Sequence, residues 1–268
     1  MHFNSSCSYT ALAILLEEYG IDTEDTKIAL EIGLPYLFRK DREKYEAGAM
    51  LQGKEWFDLY LNPNGLSMNE ILLDKNEVFE FLCKQKMCML GLKLPNRNEK
   101  HAVVFYKNSA DAFYFLNPKR KESDESSEIS LSKEELFNAL EDMTLVGTVE
   151  KTKIFIPNKI ELFKEAITTL RENLNDIYEF SSKNHTYEEY IETMNTLFRP
   201  ILLDGIIMLE LIGEVNLAND FRIIQKEYLQ FLKGNMASKL CDYLSMDKLN
   251  KLVDKYIFLI EKHIEPLS

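Results

Sequence analysis

A cysteine, a histidine and an asparagine in this chain have the types and order that nucleophilic chemistry at a carbonyl requires. Cys7 stands after a short polar run and just ahead of an apolar helical pattern, in MHFNSSCSYTALAILLEEYG. Ala11, Leu12, Leu15, Leu16 and Tyr19 recur at helical spacing, with Glu17 and Glu18 on the other face. Ser5 and Ser6 are natural N-cap residues, so the helix is expected to start at or just before Cys7. A thiol in that first turn feels unpaired backbone N–H groups and the positive end of the dipole, and both favour thiolate over thiol. His101 begins the strand HAVVFY, and Asn117 closes the next one, AFYFLNPK, ahead of Pro118. Neighbouring antiparallel strands set a residue at the start of one beside a residue at the end of the next. Asn117 can then accept from one ring nitrogen of His101 and hold the other towards Cys7, which is a nucleophile, base and orienter arrangement. Taken singly, the three have plainer readings: a buried cysteine, a satisfied structural histidine and a turn residue before proline.

The other reactive side chains point less far. His2 lies five residues from Cys7, while His185 and His263 fall on polar stretches and read as surface histidines. Cys83 and Cys88 are five apart in FEFLCKQKMCMLGLKL with no companion pair, so no zinc site is expected and both read as core residues.

The elements that must position the three residues follow from the pattern. Gly20 is a C-cap for the first helix, and Thr23 to Ile32 reads as a second. Gly33 to Gly53 mixes aromatic, charged and small residues without a period, and reads as irregular with short strands, part of a substrate channel. Met68 to Leu73 and Lys75 to Gln85 read as helices. Met87 to Leu94, Ala102 to Tyr106 and Ala112 to Leu116 are short β-rich runs separated by turn residues, an antiparallel meander. Lys119 to Ser127 reads as a solvated loop, Ser132 opens a helix through a capping box with Glu135, and Thr144 to Phe155 supplies a last strand region. Helices followed by strands give an α+β unit over residues 1–156. From Ile160 onward all is helical: Ile160–Glu179, Thr186–Leu197, Pro200–Gly213, Val215–Gly234 and Ser245–Ile264. Thr186 with Glu189 forms another capping box, and Pro200 opens a helix at its first turn. This predicts an all-α bundle over residues 157–268.

Composition excludes several classes. A net charge of −12 speaks against nucleic acid and against adsorption to anionic membranes. The longest apolar run, Ile201 to Ile212, is broken by Asp204, Gly205 and Glu210, so it is too short and interrupted for a bilayer. No secretory signal is apparent, and the expected location is cytoplasmic.

With HAVVFY, FLNP and CSYTALAILLEEYG in this order, the chain resembles the papain-like cysteine peptidase superfamily. Within it, the pattern is similar to the bacteriocin leader peptidases, which carry a strand HxVVxY and a strand ending in Asp-Pro. Asn117 stands where those peptidases usually have aspartate, and papain-type enzymes use asparagine there. The superfamily usually places a glutamine six residues before the cysteine to complete the oxyanion hole, and here that position is Met1. The resemblance therefore leaves the Cys7 N–H as one donor and asks Asn4 or His2 for the second, which is typically worth on the order of 3 kcal/mol.

Leader peptidases are usually fused to a membrane transporter, whereas a papain-like unit followed by a helical domain is similar in layout to the butirosin-type acyltransferases and to cysteine-protease-like amide synthases of antibiotic biosynthesis. That resemblance implies an acyl group taken from a carrier-protein thioester onto Cys7 and passed to a small-molecule amine, with His101 as base. The phosphopantetheine arm of an acyl or peptidyl carrier protein would enter as part of the substrate, with no tightly bound cofactor and no metal. Carrier proteins are acidic, so Arg39, Lys40, Arg42 and Lys44, or Lys119, Arg120 and Lys121, are candidate docking residues. The helical domain and Gly33–Gly53 are candidates to close over the thioester and exclude water. Two other readings stand beside this one: a peptidase or hydrolase with the same residues, and a non-catalytic binding protein on the same fold.

Overall fold

The structure, a computed structural model, describes residues 7–94, 100–117, 127–234 and 238–267. In chain order its regular elements are α1 (Cys7–Glu17), α2 (Asp25–Ile32), β1 (Phe38–Asp41), β2 (Lys44–Ala47), α3 (Lys54–Leu61), β3 (Leu66–Asp74), α4 (Lys75–Lys84) and β4 (Cys88–Leu92). Then come β5 (His101–Asn108), β6 (Phe113–Asn117), β7 (Ser127–Leu131), α5 (Lys133–Ala139) and β8 (Met143–Lys151). The helices α6 (Ile160–Ser181), α7 (Tyr187–Thr193), α8 (Gly205–Leu211), α9 (Val215–Gly234) and α10 (Met246–Ile264) complete the chain. The architecture is α+β with antiparallel sheets, divided into two compact units: Met1–Ile32 with Gln52–Pro157, and Gly33–Leu51 with Asn158–Ser268.

The first unit is built on a six-stranded sheet in the order β3-β8-β4-β5-β6-β7. Alternate residues of the central strands, among them Leu90, Leu92, Val103, Phe105, Phe115 and Val146, form one core with Val78 and Leu82 of α4 and Leu136 of α5. Helix α1 packs on β4 and β5. Ser8, Tyr9, Ala11, Leu12, Ala13, Leu15 and Leu16 are all buried, so α1 is a core helix rather than an amphipathic surface one. Its turn ends at Gly20, whose φ of 72° is the left-handed conformation expected of a C-cap.

Met68 to Leu73, expected as a helix, is strand: Leu66–Asp74 pairs with β8 along its whole length, from Leu66 opposite Lys151 to Asp74 opposite Met143. Leu, Met and Glu favour helices only weakly, and nine residues of ladder with Leu66 and Met68 turned inward override that preference. Helix α3 and strand β7, neither expected, flank the sheet at either end of its order. The capping boxes at Ser132 and at Thr186 are both formed. Of the two cysteines read as core, Cys88 is buried and its thiol pKa is pushed up by that burial, whereas Cys83 is exposed on the outer face of α4. The loop Lys119–Ser127 falls almost wholly outside the described residues.

The second unit packs α10 against α6 and α9, and takes its hairpin β1–β2 onto α6. Gly33–Leu51 is therefore a structural part of the helical unit, whereas Gln52 and Gly53, the last two residues of the stretch read as a channel, belong to the sheet unit and line a cleft there. The Tyr256 hydroxyl donates to the Pro35 carbonyl at 2.8 Å, and Tyr45 OH and Lys40 Nζ both reach Asp176 Oδ2, at 2.6 and 3.2 Å. The two histidines read as surface groups pack on aromatic rings instead: His263 stacks on Tyr36 at 3.9 Å and His185 on Phe180 at 3.7 Å. Burial, with the nearby Lys159 charge, lowers the His263 pKa. Pro200 does not open a helix. It lies inside a helical run that continues from α7 to α8 through two π-helical stretches, Met194–Phe198 and Pro200–Asp204. Proline has no N–H to donate and crowds the carbonyl four residues back, and the wider π turns accommodate both defects.

Candidate active site

Cys7 is the first residue of α1, and packing of α1 on β5 carries its sulfur to the start of that strand. There Sγ accepts a hydrogen bond from the Ala102 backbone N–H at 3.4 Å. Ala102 follows His101 directly, so covalent geometry sets the sulfur within about 6 Å of the His101 Cα.

His101 is fully buried, and its Nε2 lies 2.6 Å from Asn117 Oδ1. The amide oxygen can only accept, so in this pair the proton sits on Nε2 and Nδ1 is the basic nitrogen. The β5–β6 register, Val104 opposite Leu116 and Phe105 opposite Phe115, brings Asn117 beside Val103, so His101 reaches it as a diagonal neighbour on the same face. Asn117 is the last residue of β6 and pairs with Ser127 of β7 on its other side. The imidazole thus pairs with Asn117, and the Cys7 sulfur meets the β5 backbone one residue on, at Ala102; His101 itself does not line the cleft beside the sulfur. The described contact of the sulfur with β5 is to the Ala102 amide. Asn4 and His2, the expected second oxyanion donors, lie outside the described residues, as do Lys119, Arg120 and Lys121. Of the other candidate docking residues, Lys40 pairs with Asp176 and Lys44 with Glu46 at 2.8 Å.

A cleft of about 300 Å³ opens beside the sulfur. Its floor comes from three adjacent strands, with Gly147 of β8, Met89, Leu90 and Gly91 of β4, and Ala102 of β5. A Cβ at Gly147 would stand 3.0 Å from Met89 Cγ and 3.1 Å from Met68 Sδ, so a larger residue there would have to displace those methionines. The walls are Cys7 and Ser8 from α1, Phe57 of α3, Glu70 of β3, Leu145 of β8, Lys100, and the pair Gln52–Gly53. Lys100 Nζ is ion-paired with Glu141. Glu70 is half-buried, and burial raises its pKa against the opposing pull of Lys54. Ser8 Oγ donates a hydrogen bond to Gln52 Oε1. Gly53 makes this approach possible: its φ of 99° lies where residues with a Cβ are strained, and it turns the chain from Gln52 into α3.

Gln52, Ser8, Glu70 and Lys100 were not among the residues that sequence reasoning singled out. Gln52 fell inside the Gly33–Gly53 stretch read as part of a substrate channel, but nothing in the spacing tied it to Cys7. Among the described residues, no three His, Cys, Asp or Glu side chains group as a metal site would require. No helix of the described residues is long and apolar enough to cross a membrane. No protein-family model matches the chain, and no curated protein does.

Proposed function

We propose that this chain is a papain-like acyltransferase that forms amides through an acyl-Cys7 intermediate. The observation that carries the reading is the His101–Asn117 pair with the Cys7 sulfur on the backbone N–H of Ala102, the residue after His101. In the first half-reaction the Cys7 sulfur attacks a thioester carbonyl and His101 takes the thiol proton. The tetrahedral intermediate collapses, the carbon–sulfur bond to the donor breaks, and the leaving thiolate recovers that proton from His101. An amine then attacks the acyl-Cys7 carbonyl and His101 accepts its proton. The Cys7 sulfur leaves and is reprotonated as the amide departs. The apolar floor formed by Met89, Leu90, Ala102 and the glycines suits an acyl chain. An acyl or peptidyl carrier protein is the proposed donor and a small-molecule amine the acceptor.

One observation favours a second reading, a binding protein on the same frame. His101 is fully buried, and β5 meets the cleft through Ala102 rather than through the imidazole. The two readings separate in one experiment. The protein is incubated with acyl-loaded carrier protein, with and without an amine, and followed by intact mass. An acyl adduct on Cys7 that resolves to amide is the expected result, with none in Cys7→Ala. An adduct that resolves only to free acid makes the protein a hydrolase. No adduct with any thioester or peptide, and unchanged ligand binding in Cys7→Ala, leaves the binding role.

A further inference from the structure

We infer that the side-chain amide of Gln52 is the second hydrogen-bond donor to the oxyanion formed at Cys7, a role that rests on the acyl-transfer reading above. Gln52 is held by Ser8, the residue immediately after the nucleophile: Ser8 Oγ donates to Gln52 Oε1, and Cys7, Ser8 and Gln52 wall the same cleft. Once the carbonyl arm of a glutamine is engaged, its two N–H donors are on the other arm, and fixing one arm fixes the plane of both. Those donors lie on the side chain that shares the cleft with the sulfur. A carbonyl attacked by Cys7 develops negative charge on its oxygen, and the start of α1 already offers backbone N–H groups to it.

Elimination among the described residues leads to the same side chain. The cleft holds three side chains able to donate a hydrogen bond: Ser8, Lys100 and Gln52. The Ser8 hydroxyl is spent on Gln52, and the Lys100 ammonium is drawn to Glu141, which does not line the cleft. Glu70 is a carboxylate, an acceptor when ionised, which would oppose an oxyanion. Gln52 comes 45 residues after the nucleophile instead of six before it. The position of Gly53 explains how it arrives there, because a left-handed φ at that residue turns the chain just after Gln52.

The test compares two reactions of Cys7 that differ only in whether an oxyanion forms. Acylation by a butyryl N-acetylcysteamine thioester or by p-nitrophenyl acetate passes through one, and alkylation by iodoacetamide does not. Gln52 is exposed, so Gln52→Ala and Gln52→Glu are expected to fold. Each should slow Cys7 acylation about 100-fold, the usual scale for one lost oxyanion donor, while leaving the alkylation rate within about twofold. Gln52→Glu keeps an acceptor for Ser8 but loses the donor, so rescue by that variant would overturn the inference. Unchanged acylation in Gln52→Ala, with Cys7→Ala taking no acyl group, would also overturn it while leaving the acyl-transfer reading in place. A fall confined to Asn4→Ala would move the role to the N-terminal segment. Acylation and alkylation falling together would mark Gln52 as structural. No acylation of the unsubstituted protein by either probe would overturn both the inference and the reading it rests on.

Discussion

At the scale of single residues, the site is organised by what each side chain can donate or accept. Asn117 can only accept at Oδ1, and that one restriction decides which nitrogen of His101 carries the proton. Asn117→Asp keeps an acceptor at the same place, whereas Asn117→Ala leaves Nε2 without it. We therefore expect Cys7 acylation to fall about 10³-fold in His101→Ala and at least about tenfold in Asn117→Ala, with Asn117→Asp close to the unsubstituted rate. Stopped-flow acylation with a thioester probe checks this series, and a His101→Ala variant as fast as the parent would remove His101 from the chemistry. The pairing of His101 with Asn117 was legible in advance because neighbouring strands carry them, and the roles proposed for these residues with Cys7 follow from their types. The donors and acceptors around them were not legible, since Gln52 and Ser8 meet only through a hydrogen bond between positions 44 residues apart.

At the scale of elements, burial and backbone defects do what local preference does not. The helical run from α7 to α8 crosses Pro200 through π turns and ends its second π stretch on Asp204, which is buried and receives Arg199 Nε at 3.0 Å. Burial dominates over the arginine and pushes the Asp204 pKa up from 3.8 to about 6. An unfolded aspartate binds its proton more weakly, so this group stabilises the fold most below about pH 4. That contribution is lost as pH rises to about 6, by on the order of 3 kcal/mol. Asp204→Asn cannot ionise, so the stability difference between parent and variant should shift by that amount in the variant's favour between pH 4 and 6.5. Urea unfolding at several pH values measures it, and parallel stability–pH curves would show that Asp204 is not the group responsible. The strand β3 makes the same point in the sheet unit: Leu66–Asp74 is strand because β8 lies beside it, not because of its own residues.

At the scale of the whole molecule, the chain does not divide at a single point in sequence. The change of character near Ile156-Pro157-Asn158 coincides with a boundary between the two compact units, but Gly33–Leu51 belongs with the helices that follow that boundary. Tyr256 to Pro35, Tyr45 to Asp176 and the His263–Tyr36 stack all depend on it. Residues 158–268 expressed alone should therefore melt without cooperativity. A fusion carrying residues 33–51 ahead of residue 158 through a flexible Gly/Ser linker should melt cooperatively. Circular dichroism melts compare the two, and a sharp transition in the shorter piece would show that the segment is dispensable.

What the amino-acid sequence determined by itself was local. The capping boxes at Ser132 and Thr186, the helical pattern of α1, the strands that carry His101 and Asn117, and the long helices α6, α9 and α10 rest on interactions within a few residues, and such interactions leave periodic or paired signatures. The tertiary structure decided what depends on partners distant in the chain. The strand state of β3, the π turns around Pro200, the membership of Gly33–Leu51 and the approach of Gln52 to Ser8 each need a surface supplied from elsewhere. A free energy contributed by a distant surface has no local spacing to announce it.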